Sequence, residues 1–146
     1  MAEKNDWWTS PAEGPDGRTI IVTGRRDVDS FRQKGKYTIR VTVAWPYTPD
    51  AQGFPDGGTA KLMEQVTDAF HDGLKGKTTA VMTGIYTGDG RREWVFYTFS
   101  TDTFGKFLNR VLAPFPLLPL EISAENDPEW QEYEEMKDAS EIMPED

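Results

Sequence analysis

The stretch from Thr78 to Phe99 reads TTAVMTGIY, then TGDG, then RREWVFYTF, and its reading decides the fold. Two runs rich in β-branched and aromatic residues flank a turn built from Thr87, Gly88, Asp89 and Gly90. Glycine tolerates positive φ and an aspartate side chain bonds back to nearby backbone, so the turn predicts a hairpin loop. Trp94 to Phe99 is aromatic on both of its alternating faces. A strand of that kind is covered on both sides, so it belongs at the centre of a sheet.

Outward from the hairpin, Arg18 to Thr23 (RTIIVT) predicts a short strand ending at Gly24. Tyr37, Ile39, Val41, Val43 and Trp45 alternate with Thr38, Arg40, Thr42 and Ala44, the pattern of a half-buried strand, which Pro46 ends. The segment PYTPDAQGFPDGG that follows is loop by its turn chemistry. Thr59 predicts the cap of a helix reaching Leu74, with Leu62, Val66, Ala69 and Phe70 as its apolar stripe. A second helix is expected from Thr101 or Asp102, with Phe104, Phe107, Leu108, Val111 and Leu112 on one face and Pro114 as its stop. Leu117 to Ser123 predicts a last strand, and Asp127-Pro128-Glu129 the start of a short helix carrying Trp130 and Tyr133.

That order implies an α+β fold with an antiparallel-rich sheet and two main helices on one face. Its core is expected to be a ferredoxin-like βαββαβ unit with an extra N-terminal strand and a short C-terminal helix. A hairpin between the extra strand and Tyr37–Trp45 would put it where the last strand should lie, and the sequence leaves that choice open. The sheet face away from the two helices needs cover, from the N-terminal arm or from a second subunit in a homodimer. One domain over residues 1–136 is expected, including an arm over 1–17, followed by an acidic tail over 137–146 that frays.

Composition narrows the classes of function. Apolar residues make up 37% of the 146, and five Trp, five Tyr and eight Phe supply large buried areas. No cysteine is present, which excludes disulfides, thiolate catalysis and Cys-based zinc sites. The first residues lack the basic segment and apolar core of a secretory signal, and no apolar run could span a membrane, so a cytoplasmic location is expected. The net charge is −9, but residues 121–146 hold eleven of the 25 acids and one of the 16 bases. That segment carries −10 and the body +1. That distribution weakens a reading of the whole domain as an acidic mimic of a nucleic acid. A nucleic-acid partner is not expected.

Chemistry-bearing residues are sparse. His71, the lone histidine, lies near a helix end, where the dipole favours it, and no neighbouring nucleophile makes it catalytic. Gly84, Gly88 and Gly90 lie in or between strands and lack the helix that a phosphate loop opens. One His and no Cys make a transition-metal site improbable, and the calcium-loop spacing is absent. Catalytic residues, metal ligands and cofactors are therefore all expected to be none. Arg25, Arg26, Arg32, Lys34, Lys36, Arg91 and Arg92 could meet an anion, or could balance the acidic tail. Candidate ligand-binding residues are Arg40, Trp45 and Tyr47, in a pocket between the sheet face and the 46–58 loop. Trp7 and Trp8 are candidates for holding a partner, or for anchoring the arm to the body.

Glu93-Trp-Val-Phe-Tyr-Thr98, Pro119-Leu-Glu-Ile122, Asn126-Asp-Pro-Glu-Trp-Gln-Glu-Tyr133 and the Gly53-Phe-Pro-Asp56 loop resemble the bacterial family catalogued as domain of unknown function 695. The resemblance runs from about Trp7 to Met136 and carries no catalytic residue, because the family has no established activity. It implies an association with enzyme-binding proteins, since some members are fused to a domain similar to the regulator of ribonuclease E activity B, a small acidic α/β protein that binds an enzyme. The expected function is a non-enzymatic protein-binding or regulatory module with an unknown protein partner and no membrane contact. The alternatives are a small-ligand or anion-binding domain with weak hydrolytic activity, and an acidic immunity or nuclease-inhibitor protein.

Overall fold

A computed structural model describes residues 6–14 and 17–141. Six strands, β1 (Trp7–Glu13), β2 (Thr19–Arg25), β3 (Ile39–Pro46), β4 (Ala80–Gly88), β5 (Arg91–Thr98) and β6 (Glu121–Asn126), form one sheet in the order β1-β2-β4-β5-β3-β6. Every neighbouring pair is antiparallel. Four helices accompany it: α1 (Asp29–Gln33), α2 (Gly57–Leu74), α3 (Thr101–Leu112) and α4 (Gln131–Ser140). The molecule is α+β.

The β4–β5 hairpin closes as its residues dictate. Asp89 and Gly90, the two residues between paired Gly88 and Arg91, have φ of 55° and 81°. Positive φ at both central positions gives a turn whose twist matches that of the flanking strands. Gly88 is pressed against β2, where a Cβ would come 2.9 Å from the Thr19 carbonyl oxygen. β5 lies between β4 and β3, and its faces separate two cores. Trp94 and Phe96 join α2 and α3 through Met63, Val66, Phe70, Phe104, Phe107 and Leu108. Val95 and Tyr97 join Trp8, Val22, Tyr37, Trp130, Tyr133 and Met136. Two main helices do share one face, and the opposite face is covered by α4 of the same chain rather than left for the arm or a second subunit alone.

The structure corrects several element boundaries. The strand after the arm pairs with β4 and not with Tyr37–Trp45, whose second edge is taken by β6. The connection from β2 to β3 includes α1, too long for the tight turn of a hairpin, so β2 is free to sit on the far side of the sheet. The expected arm is itself a strand, β1, paired with β2 from Trp7–Arg25 to Glu13–Thr19. Pro11 hides it in the sequence, yet an edge strand tolerates proline because only one side of it is hydrogen-bonded. The last strand starts at Glu121 and not at Leu117, and all six of its residues are exposed, so no apolar alternation marks it. Helix α2 is capped by Asp56, whose side chain accepts from the Thr59 amide, and α3 by Ser100, which accepts from the Thr103 amide.

Helix α4 begins later and ends later than the sequence suggests. Asp127 Oδ1 accepts from the amide of Gln131, 2.8 Å away, and Oδ2 from that of Glu132 at 3.1 Å. Trp130, with φ of 57°, is the left-handed residue that swings the chain into the helix. The helix then continues past Met136 to Ser140. Ser140 is buried: its hydroxyl accepts from Trp8 Nε1 at 3.1 Å, and its carbonyl accepts from Ser10 Oγ at 2.6 Å. The five residues 142–146 of the expected tail lie outside the described residues.

Candidate functional site

Helix α4 is pinned at both ends, and between them Tyr133 and Met136 pack onto the sheet. At its start Trp130 stacks on Tyr97 with ring centroids 4.2 Å apart and donates from Nε1 to the Tyr37 carbonyl at 2.8 Å. At its end Ser140 is held by Trp8 and Ser10. Between these anchors, toward β1, β2, β4 and the hairpin turn, a groove of about 530 Å³ remains. Ala12, Ile20, Val22, Met136 and Ala139 form its apolar walls. That size falls within the range of about 300–1,000 Å³ in which proteins take small molecules.

One carboxyl in this groove lacks the partners that buried carboxylates normally have. Tyr86 donates its hydroxyl to Glu132 Oε2. Glu132 Oε1 is shut off from water and has no hydrogen-bond partner among the described residues. Burial pushes the Glu132 carboxyl above the ordinary range, although the Tyr86 hydrogen bond and the Arg40 charge oppose the shift. Burial, with Glu132 beside it, also pushes the Tyr86 hydroxyl upward.

Next to it lies a satisfied carboxylate. Asp127 Oδ2 accepts from the Tyr97 hydroxyl at 2.7 Å, from Arg40 Nη1 at 3.1 Å and from the Glu132 amide, while Oδ1 accepts from the Gln131 amide. Burial alone would raise this carboxyl, but the bonds from Tyr97, the two amides and Arg40 outweigh it and hold it below the usual range. The two acids, five residues apart, are thus driven in opposite directions by their partners. Such divergence is common at functional sites and also within structural networks, and Asp127, with its four donors, caps α4 and ties it to β3 and β5.

No serine–histidine pair lines the groove among the described residues. Its serine, Ser140, is engaged with Trp8 and with the Met136 carbonyl, and no histidine lines it. Among the described residues no cluster of three or more His, Cys, Asp or Glu could hold a metal ion. None of the helices there is long and apolar enough to cross a membrane.

The residues picked out from sequence fall elsewhere and do not converge. Arg40 lies on the α4 face, paired with Glu125 and Asp127. Trp45 is in the core on the α2 and α3 face, 6.2 Å from Trp94 between ring centroids. Tyr47 donates to the Gly53 carbonyl at 2.8 Å inside the 46–58 loop, which is itself tied to the hairpin turn by the Gly90 amide and Gly53 carbonyl at 3.1 Å. Trp7 and Trp8 point to opposite faces of the sheet. Trp8 is 3% exposed and docks under α4. Trp7 meets His71 edge-on at 5.5 Å, beside a polar cleft of about 420 Å³ that also holds Glu64, Asp68 and Arg92. Burial lowers the His71 imidazole below its ordinary value, and Arg92 is occupied by Glu64 and Thr87.

Several bases of the body pair with acids of residues 121–141: Arg26 with Glu141, Arg32 with Glu134, Arg40 with Glu125 and Asp127, and Arg91 with Glu121. The charge asymmetry of the sequence is therefore partly an internal matching of the body with α4 and β6. What the sequence did not single out is Glu132. Its signal is an acid four residues before Met136 on the face that α4 turns inward.

Against protein-family models the chain matches the family of unknown function DUF695 over residues 6–136. The chain belongs to this family. The DUF695 match includes all six strands and reaches into α4, covering both Tyr86 and Glu132. No curated protein matches this DUF695 domain, and no solved structure matches it.

Proposed function

We propose that this DUF695 domain is a non-enzymatic binding module that takes a small ligand in the groove between α4 and the sheet. The observation that carries this reading is the buried, unpartnered Oε1 of Glu132 in an apolar-walled cavity of about 530 Å³. Unpaired buried polar atoms cost about 1–3 kcal/mol, and turning the carboxyl out to a ligand that supplies the missing donor recovers that cost. A thermal-shift screen of small organic compounds at millimolar concentration tests it, because binding to the native state alone raises the melting temperature. Hits are expected to lose their effect in Ala139→Trp, which fills the groove from the exposed side of α4. A screen without a single reproducible shift would end this reading.

A second reading, regulation by contact with another protein, is favoured by β6. This edge strand is exposed along its whole length, with Ile122 55% exposed and Leu117 fully so just before it. An open edge offers unpaired backbone groups to a strand from a partner or from a second copy. Sedimentation of the parent and of Ile122→Lys, alone and with captured partners, tests it. Identical behaviour of the two proteins would remove β6 from any contact.

The core supports a ferredoxin-like reading of the fold. From β3 onward the chain runs βαββαβ, and those strands lie in the order β4-β5-β3-β6, with β1 and β2 added beyond β4. An experimental structure with another strand order would overturn it.

A further inference from the structure

We infer that the groove's ligand is a small organic cation, an alkylammonium whose charged head is held by Glu132 and whose apolar body lies along Ile20, Val22 and Met136. This rests on the groove being a binding site, and it adds the chemistry of the ligand.

Charge points first to a cation. Glu13, Asp89, Glu93, Glu132 and Glu135 all line the groove, and Arg91 is the base among the lining residues. Arg91 is already committed, with Nε 2.7 Å from Glu93 and Nη1 3.1 Å from Glu121. A cavity with low-dielectric walls and one sign of charge focuses its field on ligands of the opposite sign. An anionic ligand would meet several carboxylates and no free base among these residues.

Hydrogen-bonding capacity points next to an ammonium. Glu132 Oε2 is taken by Tyr86 and Oε1 lacks a donor. Protonating the carboxyl gives it one hydrogen to donate but leaves an acceptor oxygen still unmatched. An ammonium offers several donors together with the positive charge that a buried carboxylate needs. Oε1 is closed to water as the carboxyl lies, so Glu132 must turn toward the groove for a head group to meet it, and that head group gives up hydration. That favours an amine carried on an apolar chain over a strongly hydrated metal ion, for which the described residues form no cluster. The walls then supply the remaining attraction, at about 25 cal/mol for each Å² of apolar surface removed from water.

Tyr86 from β4, Glu93 and Tyr97 from β5, Arg40 from β3 and Asp127 before α4 all act electrostatically around Glu132. In this company the carboxyl is held toward its neutral form, so a cation competes with a proton for it. Binding should release protons and tighten as pH rises through the carboxyl's titration.

Titration calorimetry on the full chain with n-hexylammonium, hexan-1-ol and hexanoate decides the matter. The amine is expected to bind at least about tenfold tighter than the alcohol, with hexanoate weaker than both. Glu132→Gln, which can still accept from Tyr86, should cut the amine's affinity about tenfold or more and leave the alcohol's unchanged. Amine affinity should also rise with pH in the parent and lose that slope in the variant. Should E132Q fail to fold, Glu135→Lys on the exposed rim takes its place, with the same split expected between amine and alcohol. If the alcohol matches the amine, or neither substitution moves the amine, the cation inference falls while the groove reading stands. If none of the three probes binds, this inference falls, and the broader screen then judges the groove itself.

Discussion

Replacing Asp127 with alanine is expected to cost roughly 3–5 kcal/mol, the range for removing one member of a buried, hydrogen-bonded charge pair. The residue is 7% exposed, and its one carboxylate accepts from Tyr97, Arg40 and the amides of Gln131 and Glu132. Alanine would leave a buried tyrosine hydroxyl without an acceptor, an arginine short of one partner and the first turn of α4 uncapped. Against a typical total of about 5–15 kcal/mol this is a large fraction, and urea denaturation measures it directly. A loss below about 1 kcal/mol would mean that α4 is held by its aromatic anchors alone.

The same experiment run against pH separates the two acids of α4. Asp127 has its folded pKa below the unfolded one, so its contribution is present above about pH 4 and is lost as pH falls through the folded value. D127A should therefore flatten the acid limb of the stability profile. Glu132 has its folded pKa above the unfolded one, so stability falls as pH rises from about 4.3 through the folded value. Glu132→Gln should raise stability at neutral pH and change little near pH 4, the opposite sign to Asp127.

Phe96→Ala is the second large effect, expected at about 3–5 kcal/mol. Phe96 is 0% exposed, on the central strand, with ring centroids 4.9 Å from Phe104, 5.2 Å from Phe70 and 6.3 Å from Phe107. Truncation opens a cavity between both main helices and the sheet, where close packing leaves few side chains able to fill it. The loss should appear as a lower midpoint with an unchanged denaturant slope, because the whole domain still unfolds together. A cost under about 1 kcal/mol would show that α2 and α3 collapse onto the space, which the surrounding rings are too rigid to do easily.

Much of the sheet was legible from local chemistry. The Thr87–Gly90 turn, the central strand and the α3 stripe follow from residues near one another in the chain and appear where expected. The strand stops at Thr98, leaving Phe99 40% exposed, and the buried face of α2 runs through Met63, Val66, Thr67 and Phe70, with Leu62 and Ala69 only half-buried. The edges were less legible. β1 contains Pro11, and β6 has no buried residue, so neither shows the alternation that reveals a strand. The site was least legible. Arg40, Trp45 and Tyr47 carry suitable chemistry but are divided between the two faces of the sheet and a loop, whereas the groove is framed by Tyr86 and Glu132.

The amino-acid sequence by itself determined the hairpin, its central strand and the two amphipathic helices, because turn geometry and side-chain periodicity act over a few residues. Only the tertiary structure decided that β2 joins β4, that α4 covers the second face and that Glu132 ends against Tyr86. Those outcomes depend on groups far apart in the chain: Tyr86 and Glu132 are 46 residues apart, and Arg40 and Asp127 are 87. A hydrophobic pattern states which face of an element must be buried. What buries it, and which polar atom is shut in without a partner as a result, is settled only when distant segments pack together.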